Sequence, residues 1–183
     1  MKYKENKPHR LKYFNYSKPG YYFVTICTKN RIEWFGEIKN DEMFLNENGN
    51  IASMIWTQIP EHYKNILIDE WIIMPNHIHG IIIIKRNARV DVEHCSTSTG
   101  QNNYGLLSKV IKSFKEFTIK TIRTKHFNYD FKWQRSFHDH IIKNEYALNN
   151  IRKYIRNNPS NWSLDIKNKS TLCTRKPTSY QMH

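Results

Sequence analysis

Two pairs of residues in this sequence have the chemical types and the spacing of a reaction centre. His77 and His79 stand two positions apart in an apolar run, and Tyr154 and Asn158 stand four positions apart in the C-terminal part of the chain. Neutral imidazole is a good donor to divalent metals, and a tyrosine hydroxyl can act as a nucleophile when a metal polarises the atom that it attacks. These residues indicate a metal-assisted attack by a phenol.

The histidine pair falls on a predicted β-hairpin. Residues 66–85 form two runs rich in β-branched residues, and the Pro75-Asn76 step between them is a turn signal. Because side chains alternate along a strand, His77 and His79 share one face. Two imidazoles cannot complete a metal shell, so a third protein ligand must come from another part of the chain. Ordinary polar residues near a strand end would give the same pattern.

The tyrosine and the asparagine fall on a predicted C-terminal helix. Their spacing places Tyr154 and Asn158 on one continuous face, so the amide oxygen can bind the same metal. The alternative interpretation is a core tyrosine beside a helix-ending asparagine. Tyr129, in a polar connection, and Tyr146, before the apolar stripe, are rival nucleophiles, and Asn150 is the amide that would accompany Tyr146.

The elements that must position these residues occur in the order strand, helix, hairpin, helix, strand. This order is that of a ferredoxin-like β-α-β-β-α-β sandwich, an α+β fold, here with an additional C-terminal catalytic helix. The predicted elements are a strand at 21–28, a helix capped within 48–50 and ending at Pro60, the hairpin at 66–85, a helix from Gly105, an extended segment at 132–137 and a helix at 144–158.

The apolar pattern predicts which faces are buried. Tyr22, Val24 and Ile26 share one face of the first strand, and the helix from Gly105 carries a stripe that can pack on a sheet. The hairpin face opposite the histidines also needs a cover, and a second copy of the chain is one candidate for it. The stripe consists of Leu107, Val110, Ile111, Phe114 and Phe117, and the hairpin face consists of Ile78, Ile82 and Ile84.

Length and composition predict one domain between two basic segments. The domain spans residues 20–162, the N-terminal arm spans 1–19, and a basic, polar tail spans 163–183. Residues 87–103 are polar and without periodicity, which predicts a loop within the domain.

The charge balance points to a polyanionic partner. The sequence has 29 Lys and Arg against 16 Asp and Glu, a formal net charge of +13, and 14% of its residues are aromatic. Such a surface favours nucleic acid, and aromatic rings can stack on unpaired bases. A merely soluble basic surface would have the same composition. The candidate DNA contacts are Lys109, Lys112, Lys120, Arg123, Trp133 and Arg135.

The cysteines and the apolar runs indicate where in the cell the protein is expected. Cys27, Cys95 and Cys173 are odd in number and have no C-x-x-C spacing, so neither a disulfide framework nor a zinc knuckle is expected. The run from Ile81 to Ile84 is too short to cross a bilayer. The sequence therefore predicts a cytoplasmic protein without a membrane partner.

Two sequence blocks resemble a known enzyme family. Residues 71–80, Trp-Ile-Ile-Met-Pro-Asn-His-Ile-His-Gly, are similar to the His-hydrophobe-His signature of the HUH endonucleases. The form is that of REP-associated tyrosine transposases and the related single-strand insertion-sequence transposases. Residues 133–137, then Asp139-His140, then Tyr154-Ile-x-x-Asn-Pro resemble that family's second block. Together with the first strand, the match covers about residues 20 to 162.

The resemblance implies an enzyme that cuts and rejoins single-stranded DNA at hairpin-forming repeats. His77 and His79 would be the metal-binding pair, Asn158 the third ligand, and Tyr154 the nucleophile that forms a 5′-phosphotyrosine link. Magnesium or manganese is the expected metal, because the ligands are nitrogen and oxygen without thiolate. Many members continue Asn-Pro-Val-Lys-His where this chain has Asn-Pro-Ser-Asn-Trp at 158–162, a difference that bears on local DNA contacts.

The resemblance also places two further residues near the site, and other functions remain compatible with the fold. Asp139 or His140 would support the metal ligands without binding the metal directly. His138 and His140 would point apart if they began a helix and could not share an ion. A non-catalytic, domesticated nucleic-acid-binding module is one alternative to the transposase. A nuclease that uses metal-bound water is another.

Overall fold

The computed structural model describes residues 16–86, 105–126 and 129–163. The predicted polar loop, the C-terminal tail and most of the N-terminal arm lie outside these ranges. The strands are β1 (Gly20–Cys27), β2 (Gly36–Lys39), β3 (Glu42–Leu45), β4 (Ile66–Met74), β5 (His77–Ile84) and β6 (His138–Ile142). The helices are α1 (Glu47–Thr57), α2 (Ile59–His62), α3 (Leu106–His126) and α4 (Glu145–Arg156), and Lys29–Arg31 forms a short 3-10 turn.

Four strands form one sheet in the order β4-β5-β1-β6, and every neighbouring pair is antiparallel. Strands β2 and β3 form a separate small hairpin. The predicted mixed α+β architecture is thus confirmed, as is the β4–β5 hairpin that carries the histidines. Its turn is held by the residue that follows β1, because the amide of Thr28 donates to the carbonyl of Asn76 at 3.0 Å.

The two faces of the sheet are unequally covered. Tyr22, Val24 and Ile26 point into a large core that also contains residues of α1 and α3. Phe23 points to the other face, into a small cluster with Ile81 and residues of α4. The alternation predicted for β1 is confirmed, and the sheet therefore keeps one face for its main core and the other for α4.

The face opposite the histidines has its cover within the chain. Ile78, Ile82 and Ile84 are buried in the same core as Trp56 of α1 and Val110 of α3. A second copy of the chain, one candidate for this cover, is not needed here, because the two helices already exclude water from this face.

The first two helices begin and end differently from the prediction. The N-cap of α1 is Asn46, whose side chain accepts a hydrogen bond from the amide of Gly49 at 3.0 Å, so the helix begins before residue 48. Pro60 does not end the helical region, because it lies in the first turn of α2, where no amide hydrogen is needed.

The last two helices largely follow the prediction. Helix α3 buries most of its predicted stripe, but Phe117 is 52% exposed and stacks on His62, while Thr118 and Ile122 continue the buried face. The predicted cap of α4 is confirmed, since the side chain of Asn144 accepts from the amide of Ala147 at 2.8 Å.

The last strand of the sheet lies later than predicted. Residues 132–137 contribute only an isolated bridge between Trp133 and Thr28, and the sheet is completed by β6. His138 and His140 therefore lie on a strand and not at the start of a helix, so both point to the same face. Aromatic composition favoured the earlier segment, but its rings pack into the core.

The sheet and α1 are in close contact at Gly80. A Cβ atom at this position would overlap the indole ring of Trp56, which is fully buried. Gly80→Ala should therefore lower the free energy of unfolding by about 1 to 3 kcal/mol, as overpacking does in other cores. Urea denaturation gives this value. Adding Trp56→Phe should cost less in the Gly80→Ala background than in the native one, and strictly additive losses would contradict the proposed overlap.

Candidate active site at the histidine pair

The two imidazoles of β5 converge on one point. The Nε2 atoms of His77 and His79 lie 3.0 Å apart, and both side chains are buried. The rings meet edge to face, with their centroids 4.5 Å apart. Two imidazole nitrogens that approach so closely can both bind one cation when each presents a lone pair.

The outer nitrogen of each ring is held by a hydrogen bond. Nδ1 of His77 donates to Oδ1 of Asn76 at 2.9 Å, which leaves its Nε2 with a lone pair. Nδ1 of His79 lies 2.9 Å from the hydroxyl of Thr25. Without a cation, Nε2 of His79 carries the proton and donates to His77, and Thr25 donates to Nδ1. With a cation, the proton of His79 would move to Nδ1, and the hydroxyl of Thr25 would accept it.

Thr25 and Asn76 hold the two imidazoles by hydrogen bonds, and the sequence analysis did not assign them to the site. Thr25 pairs with His79 across β1 and β5, so its side chain stands beside the imidazole on the same face. Asn76 was assigned only to the turn, yet its amide also donates to the carbonyl of Arg31 at 3.2 Å. Two features of the sequence could have identified them. One is the alternation of β1, and the other is the position of Asn76 directly before His77.

Burial keeps both imidazoles neutral. Burial, with a smaller contribution from the positive charge of Arg31, lowers the pKa of His79 to about 3. The pKa of His77 lies well below 6.5 for the same reason, with contributions from His79 and Arg31. Near neutral pH these nitrogens are therefore available as lone-pair donors and do not repel a cation as imidazolium ions would.

Helix α4 brings a tyrosine to this point. The hydroxyl of Tyr154 lies 3.3 Å from Nε2 of His79, and its ring stands edge-on to the rings of Phe23 and His79. The side chain is 43% exposed, so its hydroxyl lies at the boundary between the histidine pair and solvent. The rival candidates Tyr129 and Tyr146 are 64% and 71% exposed. The predicted meeting of a tyrosine with the histidine pair is thus present in the structure.

Asn158 follows α4 in a turn and is buried. Its Oδ1 atom has no hydrogen-bond partner among the described residues, which is costly for an amide oxygen unless a further group binds it. The following turn reaches the site, because Trp162 stacks on His77 with 6.0 Å between ring centroids. A buried, unsatisfied amide oxygen and two neutral imidazoles together match the nitrogen and oxygen ligands that a divalent cation accepts. In the part of the chain that the structure describes, no three His, Cys, Asp or Glu side chains form a metal cluster.

The two predicted supporting residues point in opposite directions. Asp139 pairs with Val24, whose side chain lies in the main core, and its charge acts on the pKa of Tyr22 on that same face. It is therefore directed away from the histidine pair, which leaves His140 as the residue of the two that can support the site. His140 pairs with Phe23 and lies on the face of the site.

The predicted DNA contacts do not surround the site. Lys109, Lys112 and Lys120 are exposed and Arg123 is half-buried, all on α3, which packs on the sheet face opposite α4. Trp133 is 7% exposed and packs against Phe35, Phe114 and Phe131, so its ring cannot stack on a base. Arg135 is exposed. In residues 16–86, 105–126 and 129–163, no helix is both long and apolar enough to cross a membrane.

Comparison with known proteins gives one close relative. A Haemophilus influenzae protein, described as uncharacterised, is 37% identical over 161 residues, which cover 85% of this chain and 89% of the relative. The chain belongs to the same family as this Haemophilus protein. No family model matches the sequence.

A solved structure shares the fold of this chain at low sequence identity. It is that of a REP-associated tyrosine transposase bound to a REP hairpin. The superposition has a TM-score of 0.53 with 16% identity, and it covers 84% of this chain and 74% of the transposase. The resemblance seen in the motifs therefore extends to the fold.

The arrangement of hydrogen bonds predicts the tautomer of His77. At neutral pH and without metal, Nδ1 of His77 should be protonated and its Nε2 should be bare, because Oδ1 of Asn76 can only accept. Nitrogen-15 NMR of histidine-labelled protein distinguishes these states. Both rings should also remain neutral at about pH 5.5, where an ordinary histidine is mostly charged. The variants His77→Gln and His79→Gln assign the signals, and a doubly protonated His77 at neutral pH would contradict the predicted geometry.

Proposed function

We propose that this protein is a metal-dependent single-stranded DNA transposase in which Tyr154 is the nucleophile. The observation that carries the proposal is the position of the Tyr154 hydroxyl, 3.3 Å from Nε2 of His79, at the point where two neutral imidazoles converge. A nucleophile must lie beside the group that polarises its target, and the Tyr154 hydroxyl meets this requirement.

The sheet supports the ferredoxin-like assignment within this proposal. With β2, β3 and α2 set aside as additions, the remaining elements follow the order β-α-β-β-α-β, and α4 comes last. Each helical crossover joins strands that have one other strand between them, as the order β4-β5-β1-β6 requires. Helix α4 is then the addition that carries the nucleophile to the sheet.

The proposed substrate is single-stranded DNA that forms a hairpin. The formal charge of +13 favours a polyanion, and the transposase that shares the fold is bound to a REP hairpin. The exposed lysines of α3 lie on the face away from the site. They can therefore hold a part of the DNA distant from the cleaved bond.

The proposed reaction is a transesterification. The oxygen of Tyr154 forms a bond to the phosphorus of the scissile phosphodiester, and the bond from phosphorus to the 3′ oxygen breaks. The phenolic proton passes to water, which reaches the Tyr154 side chain because that side chain is 43% exposed, and the departing 3′ oxygen takes a proton from water to become a 3′-OH. The product is a 5′-phosphotyrosine, whose phosphodiester retains the bond energy needed for rejoining.

His77, His79 and Asn158 would hold the metal in this reaction. A bound magnesium or manganese ion supplies Lewis-acid polarisation of the phosphate oxygens. The chain itself supplies the orientation, since Thr25 and Asn76 fix the two imidazole rings by hydrogen bonds. His140, on the same face, is the remaining candidate for a supporting role.

Tyr154→Phe should abolish the covalent adduct and leave DNA binding unchanged, because only the hydroxyl is removed. The protein is incubated with a labelled single-stranded hairpin and manganese, and a denaturing gel resolves the slow adduct. Tyr146→Phe is the matched control, since this tyrosine lies on the same helix and is 71% exposed. It should form the adduct at the native rate.

The same gel separates the alternatives. An undiminished adduct with Tyr154→Phe would remove this residue from the proposed role. Free 5′-phosphate products without attached protein would favour a nuclease that uses metal-bound water. DNA binding without cleavage by the native protein would favour a non-catalytic binding module.

Asn158→Ala should weaken manganese binding by roughly tenfold or more, because it removes the oxygen ligand from the proposed set. Isothermal titration calorimetry without DNA measures this affinity. Asn161→Ala is the control, since Asn161 is exposed and its side chain donates to the carbonyl of Asn157 at 2.9 Å. Native affinity in the Asn158→Ala variant would exclude Asn158 as a ligand.

A further inference from the structure

An irregularity in β4 lies directly beneath the helix that carries Tyr154. Ile68 pairs with Ile82, but Trp71 pairs with Gly80, so two residues of β4 stand opposite one residue of β5. The two are Asp69 and Glu70, and the arrangement is a β-bulge. Bulges bend a strand and redirect its side chains, which makes this the place where β4 departs from regular alternation.

The bulge lets two consecutive carboxylates reach the same helix. Along a regular strand, neighbouring side chains point to opposite faces. Here Asp69 accepts from Arg152 through two hydrogen bonds, at 3.1 Å from Nε and 2.6 Å from Nη2. Glu70 accepts from Nε and Nη2 of Arg156 through one oxygen, at 2.7 and 2.6 Å. Both arginines belong to α4.

These contacts are more constrained than ordinary surface ion pairs. The side chains of Asp69 and Arg152 are only 16% and 28% exposed, and the planar guanidinium group fixes the direction of both hydrogen bonds. The hydrogen bonds from Arg152 lower the pKa of Asp69, so the carboxylate is charged at neutral pH. The pair formed by Arg156 is more exposed, at 63% for the arginine.

The arginines and the tyrosine lie on opposite edges of the buried face of α4. Successive residues are rotated by about 100° around a helix, which places Ile151 and Ile155 between Tyr154 and the two arginines. The isoleucines pack in the small cluster with Phe23 and Ile81. An apolar ridge of this kind holds the helix against the sheet but constrains its rotation only weakly. The two ion pairs lie on the edge opposite Tyr154, and they resist rotation of α4 about its own axis.

We propose that Asp69 and Glu70 are positioning residues for Tyr154. By holding Arg152 and Arg156, the two carboxylates of the bulge fix the rotation of α4 that places the hydroxyl of Tyr154 at Nε2 of His79. The consequence for catalysis rests on the proposed function, whereas the consequence for the Tyr154 to His79 contact does not.

The first test follows the position of Tyr154 without DNA. Its ring stands edge-on to His79 with 5.3 Å between centroids, so it shifts the NMR signals of the His79 ring protons. Tyr154→Leu gives the signals of His79 without this ring. In the double variant Asp69→Asn/Glu70→Gln, the His79 signals should move towards those of Tyr154→Leu. Signals that stay at their native positions would overturn the proposal.

The second test follows the reaction. The double variant should form the adduct roughly tenfold to hundredfold more slowly in a single turnover, because the reacting groups are misplaced. Hairpin affinity should stay within a few-fold of native. Glu37→Gln/Glu42→Gln is the charge-matched control, since it also removes two negative charges and both glutamates are exposed on the separate β2–β3 hairpin. The exchanged pair Asp69→Arg/Arg152→Asp should form the adduct faster than either of its single exchanges, because it restores an ion pair at this position. A native rate in the variant Asp69→Asn/Glu70→Gln would overturn the proposal.

The two tests separate this proposal from the proposed function. If the native protein forms no adduct but the double variant shifts the His79 signals, the positioning stands and the transposase does not. Should the double variant fail to fold, the single variant Glu70→Gln removes only the more exposed pair. It should produce a smaller shift in the same direction, and an unchanged spectrum would count against the proposal.

Discussion

The close approach of two uncharged imidazoles inside the sheet is the constraint on which the rest of the site depends. Two nitrogen atoms 3.0 Å apart would repel strongly if both rings were protonated, and burial prevents this by disfavouring the charged forms. The pairing of β5 with β1 supplies Thr25 to one ring, and the hairpin turn supplies Asn76 to the other. The positions of the rings are therefore set by backbone pairing and not by a flexible loop.

One face of the sheet packs against the main core, and the other face carries the candidate active site. Helices α1 and α3 cover one face with an extended apolar core that includes Trp56 and Phe114. Helix α4 covers the other face through a much smaller cluster, which leaves room beside it for the histidines and for solvent at Tyr154. Because so little apolar surface holds α4, polar contacts carry much of its orientation.

The sequence predicted those features that follow from local periodicity. The hairpin, the shared face of His77 and His79 and the capped helix that carries Tyr154 were all found where alternation and helical spacing placed them. The hydroxyl could be brought to the imidazoles only by the tertiary packing of α4, which the motif resemblance anticipated. Thr25 was missed because its partner on β5 is distant in sequence and register is not visible in one strand alone.

Other predictions failed where long-range packing decides between local alternatives. Trp133 lies in a segment with the composition of a strand, but its ring is more stable among buried aromatic residues than at a sheet edge. Strand β6 instead uses polar residues such as His138 and Asp139, whose backbone groups pair with β1. The bulge at Asp69 was not predicted either, since one extra residue hardly alters the composition of the strand.

The position of that bulge has a further consequence for self-association. Strand β4 ends the sheet, so its outer backbone groups could pair with another extended chain and start an aggregate. The kink at residues 69 and 70 shortens the regular stretch available on that border. The irregularity thus also discourages edge-to-edge stacking of neighbouring molecules, a hazard for any protein whose sheet remains open at its margins.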